Sequence, residues 1–332
     1  MLPELLEPEE VASVASSHAA TPPRPTMRRR GADQRSARAR TILVNSSERA
    51  PDVNSGGYNG RVSLPTSDLL RASAVVCAGA SRSDVHRARG AGPLRLLTPR
   101  AGRAAWVVTS SLGGGLVDGD AVALDVVVES GATCVVTTQA STKAYRGRAR
   151  QELSVRVDDG AAVLVVPDPL VPYAGSTLQQ STAITLAATG SLVLLDTLTA
   201  GRVAHGERWA CDRVDTTVRL VRGGVLRLHD RVVLDRSDGS IAERLHGFDA
   251  LATCVVVGPR VAAEARALLA SVARAPLRRA ERGVMVVASP VGDDGVLVRI
   301  CGAAIEDVIT ATRAHLASAC AALGEDPWAR KW

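Results

Sequence analysis

A glycine-rich segment in the first half of the chain carries two carboxylates. Residues 112–120 read Leu-Gly-Gly-Gly-Leu-Val-Asp-Gly-Asp. Glycine-loop amides can hold a phosphate, but a nucleotide loop needs GxxxxGK[ST], or GxGxxG between a strand and a helix, and neither fits here. Asp118 and Asp120 offer oxygen ligands, although two carboxylates alone do not specify a metal site. The segment therefore indicates a turn that needs positive φ, with acidic side chains beside it.

A second segment contains one of the two lysines of the chain. Residues 137–146 read Thr-Thr-Gln-Ala-Ser-Thr-Lys-Ala-Tyr-Arg, so Lys143 stands two positions from Tyr145. On a strand, Ser141 and Lys143 share one face, and a serine–lysine nucleophilic pair is one hypothesis. No oxyanion-hole pattern accompanies the pair. A solvated lysine at a strand end is the alternative interpretation.

Two further segments follow at similar distances along the chain. Residues 166–176 contain three prolines within six positions, which predicts a rigid extended loop. Residues 199–209 contain two glycines, and Arg202 is close enough to Glu207 to pair with it locally. The histidines and cysteines show no HExxH or CxxC spacing, so a zinc site is not predicted.

Composition excludes several classes of protein. Aromatic residues make up 2% of the 332 residues, which leaves few platforms for stacking nucleic-acid bases and no aromatic belt for a membrane. No run of 18 apolar residues predicts a membrane span, and the acidic N-terminal residues include no apolar h-region that would predict a secretory signal. We therefore expect a cytoplasmic protein without a nucleic-acid or membrane partner.

The first 70 residues differ from the rest. They are rich in Pro, Ser and Arg and show little apolar periodicity, and the stretch Arg24–Arg40 carries seven arginines against one aspartate. This composition predicts a disordered or mis-started extension over residues 1–70, because it cannot bury enough apolar surface. The alternative is a basic arm that binds nucleic acid.

Residues 71–332 are predicted to form one β-rich domain. Apolar residues alternate in short runs bounded by turn signals such as Asp158-Asp159-Gly160, and helical spacing occurs only near 261–272 and 305–323. The pattern predicts a mainly β protein, a stacked antiparallel or helical β-sheet scaffold with two C-terminal helices, and not a parallel α/β sheet. No sequence repeat of fixed period is evident.

The order of the four segments resembles the urease accessory protein family UreD, also called UreH. The similar landmarks are Gly-Gly-Leu-Val-Asp-Gly-Asp at 114–120, the segment 137–146, Pro-Asp-Pro-Leu-Val-Pro-Tyr-Ala-Gly at 167–175, and Gly201-Arg202 followed by Gly206-Glu207. The resemblance extends over about residues 85–332. It implies a scaffold that is not an enzyme. A hydrolase that uses Ser141/Lys143 and a nucleic-acid binder that uses the Arg24–Arg40 arm remain the alternatives, and both rest on the residues alone.

The resemblance also implies partners and a cargo. Proteins of this family act as chaperones in metallocentre assembly: they bind urease apoprotein, recruit a UreF-type protein and through it a UreG-type GTPase, and help Ni²⁺ to reach the urease active site. Transient passage of Ni²⁺ is implied, without a stable metal site or a tightly bound cofactor. Since Ni²⁺ accepts carboxylate donors, Asp118, Asp120 and Tyr145 are the residues implied to line its route.

The same resemblance implies a set of motif or partner-binding residues. They are Gly114, Gly115, Gly119, Thr142, Lys143, Arg146, Asp168, Tyr173, Arg202, Gly206 and Glu207.

Overall fold

The computed structural model describes residues 39–43, 69–100, 102–275 and 283–329. Of the predicted N-terminal extension, only residues 39–43 and 69–70 are described, and residues 39–43 form a strand. The predictions of a disordered extension and of a basic Arg24–Arg40 arm thus fall largely outside the described residues and stay predictions.

The described residues form nineteen strands and three α-helices. The first ten strands are β1 (Ala39–Leu43), β2 (Leu70–Ala78), β3 (Ser83–Arg89), β4 (Leu94–Leu97), β5 (Ala105–Ser111), β6 (Gly115–Leu116), β7 (Ala121–Val128), β8 (Thr133–Thr138), β9 (Thr142–Ala144) and β10 (Gly147–Val157). The others are β11 (Ala162–Val165), β12 (Leu170–Pro172), β13 (Ser176–Leu186), β14 (Ser191–Thr199), β15 (Arg213–Arg222), β16 (Val225–Asp235), β17 (Ala250–Val257), β18 (Val284–Pro290) and β19 (Gly295–Gly302). The helices are α1 (Ile241–Arg244), α2 (Ala262–Arg274) and α3 (Ile305–Ala322).

The strands form two sheets. The first has the order β1-β16-β15-β13-β10-β7-β2-β3. The second has the order β18-β19-β17-β14-β11-β8-β5-β4, with the short strands β6, β9 and β12 attached beside it. The prediction of a mainly β protein with two C-terminal helices is confirmed, the helices being α2 and α3.

At the centre, the chain alternates between the two sheets and winds as a β-helix. Strands β7, β10 and β13 pair in parallel in the first sheet, and β8, β11 and β14 do so in the second. Leu124 lies beside Leu153, which lies beside Thr182, so one coil takes 29 residues. The predicted helical arrangement therefore describes the centre of the protein. The antiparallel pairs each include a strand outside these coils, such as β3, β16 or β19.

Turns at one end of the coils explain how they stack. Gly131 and Gly160 occupy equivalent turns with φ of 72° and 69°, a conformation that costs glycine little. The Gly131 amide donates to the carbonyl oxygen of Asp159 at 3.1 Å, and the Gly160 amide donates to Thr189 Oγ1 at 2.9 Å. Each turn is thus hydrogen-bonded to the next coil.

Two apolar clusters hold the layers together. Between the sheets, inward side chains such as Val126, Val155 and Ile184 pack in columns, as the alternation predicts. Behind the second sheet, Leu268 of α2 and Leu316 of α3 bury the apolar stripe of each helix. Burying one such side chain contributes about 1.5–3 kcal/mol. Within the described ranges, no helix has the length and hydropathy to span a membrane.

Candidate functional site

The winding of the chain brings the four sequence segments to one place. Strands β6, β9 and β12 lie side by side in parallel, with Gly115 beside Lys143 and Lys143 beside Val171. The loop that contains Arg202 and Glu207 follows β14 and lies beside the third segment. We call the surface formed by residues 112–120, 142–148, 170–175 and 201–207 the motif corner.

Aromatic and basic side chains connect the coils across the motif corner. The Tyr145 hydroxyl donates to the Gly113 carbonyl oxygen at 3.4 Å. Its ring meets that of Tyr173 edge-on, with centroids 5.2 Å apart and an interplanar angle of 79°. The Arg202 guanidinium carbon lies 4.3 Å from the Tyr173 centroid, within the range of a cation–π contact. One ladder thus joins all four segments.

An ion pair ends this ladder. Arg202 Nε donates to Glu207 Oε2 at 3.0 Å, and Arg202 Nη2 donates to Glu207 Oε1, so the predicted local pairing is confirmed. The hydrogen bond from Arg202 lowers the pKa of Glu207, and the same bond raises the pKa of Arg202. Glu207 Oε2 also accepts from the Ala174 amide at 3.3 Å. Because the pair is only partly buried and remains accessible to solvent, it orients the loop more than it stabilises the fold.

Trp209 anchors the loop that follows β14. Trp209 is buried and adopts a φ of 51°, which a bulky residue rarely does. Its Nε1 donates to the Phe248 carbonyl oxygen at 2.9 Å, and its amide donates to the Ala200 carbonyl oxygen at 2.6 Å. These contacts hold Trp209 in a strained backbone conformation two positions after Glu207.

The glycines of the corner serve two purposes. At Gly115 an added Cβ would lie 2.4 Å from the Lys143 carbonyl oxygen, so only glycine permits the two coils to approach. Gly119 and Gly206 have φ of 86° and 76° and open space around them, so they serve tight turns.

The two carboxylates of the first segment accept backbone hydrogen bonds, Asp120 within its own turn and Asp118 from the neighbouring coil. Asp118 Oδ1 accepts from the Arg148 amide and Asp120 Oδ2 accepts from the Val117 amide, each at 2.8 Å. Asp118 is exposed and Asp120 half-buried. They share the motif corner with Tyr145, and their assignment to a nickel route stays a prediction. In the part of the chain that the structure describes, no group of three or more His, Cys, Asp or Glu side chains could hold a metal ion.

Two cations of the second segment lie over glycines of the neighbouring coils. Lys143 Nζ is 3.7 Å from the position of a Cβ on Gly114, and Arg146 Nε is 3.5 Å from the equivalent position on Gly175. Lys143 thus lies above the glycine loop. No hydrogen bond joins Lys143 to Ser141 among the described residues, so the geometry offers no support for the nucleophilic pair.

A cavity of about 270 Å³ lies between the two sheets, directly behind the motif corner. Gly114, Leu116 and Thr142 of the corner form part of its wall. Much of the wall is apolar. Its polar residues include Thr138, Gln151, Asp168, Gln180 and Asp196.

Asp196 is the most perturbed carboxyl group of this cavity. Gln180 Nε2 donates to both of its oxygens at 3.0 Å, and Gln151 donates in turn to Gln180. Asp196 keeps some exposed surface because it faces the cavity, yet it lies deep between the sheets. This burial raises its pKa to about 6; the Gln180 hydrogen bond opposes the shift, and the charge of Asp230 adds to it.

Asp168 is the second carboxylate in the wall. Thr138 Oγ1 donates to its Oδ2 at 3.1 Å, and the Asp168 amide donates to the same hydroxyl at 2.7 Å. The sequence placed Asp168 among the motif or partner-binding residues, and the structure places it at the inner side of the third segment. Asp196 and Gln180 were missed, because a single polar residue in a buried strand gives no local signal.

Comparison with known proteins agrees with the sequence-based resemblance. The family model described as UreD urease accessory protein matches residues 71–332. A protein named urease accessory protein UreD from Sorangium cellulosum is 46% identical over 256 residues, covering 76% of this chain and 81% of that one. Its namesake from Anaeromyxobacter sp. is 41% identical, covering 80% and 94%. A protein from Oryza sativa subsp. indica named urease accessory protein D is 28% identical, covering 79% and 98%.

Proposed function

The chain belongs to the UreD urease accessory protein family, and we propose that it is a maturation factor that helps assemble the nickel centre of urease. Members of the family are named as accessory proteins and not as enzymes, so the Ser141/Lys143 hydrolase is set aside. The observation that carries the proposal is the motif corner. The four segments that resemble the family form one continuous surface, which is what a binding scaffold requires.

The partners we propose are urease apoprotein and a UreF-type protein, through which a UreG-type GTPase would be recruited. We propose that they meet in the cytoplasm. No sequence-specific nucleic-acid contact is part of this proposal.

We further propose that the cavity behind the motif corner forms part of the route taken by Ni²⁺. Asp168 and Asp196 supply carboxylate oxygens, and Gln180 and Thr138 supply neutral donors that already fix them. Two separated carboxylates bind a cation more weakly than a closed set of ligands, and weak binding suits a cargo that must leave. Asp118, Asp120 and Tyr145 then contribute at the outer end of the route.

Co-expression of urease and its accessory proteins, with and without this chain, tests the function. We expect urease purified without the chain to contain much less nickel, measured by plasma mass spectrometry. Equal nickel contents in the two preparations would contradict the proposed function.

Two double variants test the route. D168N/D196N keeps the shape of the cavity wall and removes both inner charges, and we expect it to lower urease nickel severalfold while the complexes still form. D125N/D159N is the matched control, because it removes two surface charges outside both the motif corner and the cavity. D118N/D120N examines the outer end of the route, and we expect it to lower urease nickel less than D168N/D196N does. Equal nickel contents for D168N/D196N and the control would overturn the proposed route.

A further inference from the structure

Exposed aliphatic side chains are concentrated at the motif corner. Leu112, Val117 and Val203 are 58%, 52% and 45% exposed, and each belongs to one of the corner segments. Leu112 adjoins Gly113, which accepts the Tyr145 hydroxyl, and Val203 adjoins Arg202 at the other end of the ladder. Three of the seven large aliphatic side chains that are exposed among the described residues thus belong to this one surface, which favours a binding site for another molecule.

The cations around these side chains have unused binding capacity. Lys143, Arg146 and Arg148 have no ion-pair partner within the described ranges. By contrast, the nearby Arg150 and Arg208 pair with acidic residues of the chain itself. Considering the described residues alone, the corner therefore presents unpaired positive groups beside apolar ones.

The corner is also held in a fixed geometry. Lys143 lies on β9, between β6 and β12, and Arg146 lies against Gly175 of the following coil. The ladder from Tyr145 to Glu207 fixes the loop that carries Val203. A surface that is rigid before binding loses little conformational entropy on association.

We propose that the motif corner docks a protein segment that presents both carboxylates and apolar side chains. The carboxylates pair with Lys143 and Arg146, and the apolar side chains pack on Leu112 and Val117 of the first corner segment and on Val203 of the fourth. A nucleic acid would use the cations and leave the aliphatic groups in water, so a protein partner fits better. This inference rests on the proposed function, since it specifies how the maturation partners are held.

Chemical cross-linking tests the contact directly. The chain has only two lysines, Lys143 and Lys331. A water-soluble carbodiimide couples an amine to a carboxylate that it touches. The full chain is mixed in turn with urease apoprotein and with the UreF-type protein, treated, and analysed by peptide mass spectrometry. We expect a cross-link from Lys143 to an Asp or Glu of one of these proteins. In K143R this cross-link is absent although the complex still forms.

Charge reversal provides the binding test. We expect K143E/R146E to weaken binding of that partner by about tenfold or more, and rising salt to weaken the wild-type complex more than the variant complex. R266E/R274E is the matched control, because it makes the same charge change at exposed positions of α2, away from the corner. We expect L112S/V203S to weaken binding as well, whereas V225S, at another exposed valine, leaves it unchanged.

The two proposals fail separately. If the wild-type chain raises urease nickel but K143E/R146E binds both partners as tightly as R266E/R274E does, the docking site is wrong and the function stands. If a single-stranded DNA oligonucleotide protects Lys143 from modification and displaces the partner, the corner is a nucleic-acid site. Cross-links from Lys331 alone, with none from Lys143, also overturn the inference.

Discussion

The guanidinium carbon of Arg202 lies 4.3 Å from the centroid of the Tyr173 ring, although the two residues stand one coil apart in the chain. Arg202 also makes two hydrogen bonds to Glu207. The position of the fourth segment therefore depends on the third, and both depend on the register between coils.

Substitutions at Tyr173 separate the ring from its hydroxyl. We expect Y173F to bind the maturation partners like the wild type, because the ring still contacts Tyr145 and Arg202. Y173L removes the aromatic face, and we expect partner binding to fall on the order of tenfold. Binding is measured by calorimetry, and circular dichroism confirms that both variants are folded. Equal affinities of Y173L and Y173F would show that the ladder does not position the binding surface.

Arginine at position 202 should not be replaceable by lysine. A lysine ammonium cannot make two parallel hydrogen bonds to Glu207 while lying flat on the Tyr173 ring. We therefore expect R202K to weaken partner binding nearly as much as R202M does. The comparison is made in the same calorimetric assay. Recovery of full affinity in R202K would mean that charge alone matters at this position.

Gly115 should not tolerate a side chain. The Cβ of G115A would lie 2.4 Å from the Lys143 carbonyl oxygen and 2.8 Å from Tyr145 Cε2, and such overpacking costs about 1–3 kcal/mol. For a chain of this size, Tm should fall by roughly 2–6 °C. G190A is the control, since its Cβ would make only ordinary contacts, the nearest at 3.4 Å. Similar melting temperatures for the two variants would contradict the close approach.

Asp118 should contribute to the stability of the fold as a hydrogen-bond acceptor rather than as a charge. Its Oδ1 accepts from the Arg148 amide at 2.8 Å, and D118N retains that oxygen whereas D118A does not. We expect D118A to lose about 0.5–1.5 kcal/mol in the free energy of unfolding and D118N to lose less. Urea denaturation measures both. Equal losses would point to the charge instead.

The raised pKa of Asp196 predicts a characteristic dependence of stability on pH. The folded state keeps this proton up to a pH of about 6, whereas the unfolded chain releases it near pH 4. The folded state thus binds more protons between these values, so the stability that Asp196 contributes falls as pH rises from about 4 to 6.

D196N should remove this dependence. We expect it to be more stable than the wild type by about 1–2 kcal/mol at neutral pH, where the wild type must ionise this carboxyl group, and to converge with the wild type near pH 4, where both side chains are neutral. Urea denaturation at several pH values measures the difference. D125N, at an exposed aspartate paired with Arg71, is the control and should show no such convergence. A constant difference between wild type and D196N would contradict the shifted pKa.

Local patterns in the sequence predicted the elements well. Alternation in β7 and β10 identified inward Val126 and Val155, because a strand exposes successive side chains to opposite faces. Helical spacing identified the stripes of α2 and α3. The sequence left the helical winding as one of two alternatives, because one inward column contains Leu124, Leu153 and Thr182, and such a mixed column leaves no repeat in the sequence.

The candidate site, too, was predicted from the sequence only in part. The order and content of the four segments were sufficient to indicate the family and most residues of the motif corner. Asp196 was not predicted, because Leu-Leu-Asp-Thr in a buried strand does not reveal that the aspartate faces a cavity. Burial of this kind depends on the opposite sheet, which contributes Gln180.

The sequence by itself determined which residues the motif corner contains and the alternation that makes this chain a β protein. Only the tertiary structure decided that Tyr145, Tyr173 and Arg202 meet, because each lies in a different coil. Their contact depends on the register between parallel strands. That register is fixed by the packing of two whole sheets against each other and not by the preferences of neighbouring residues.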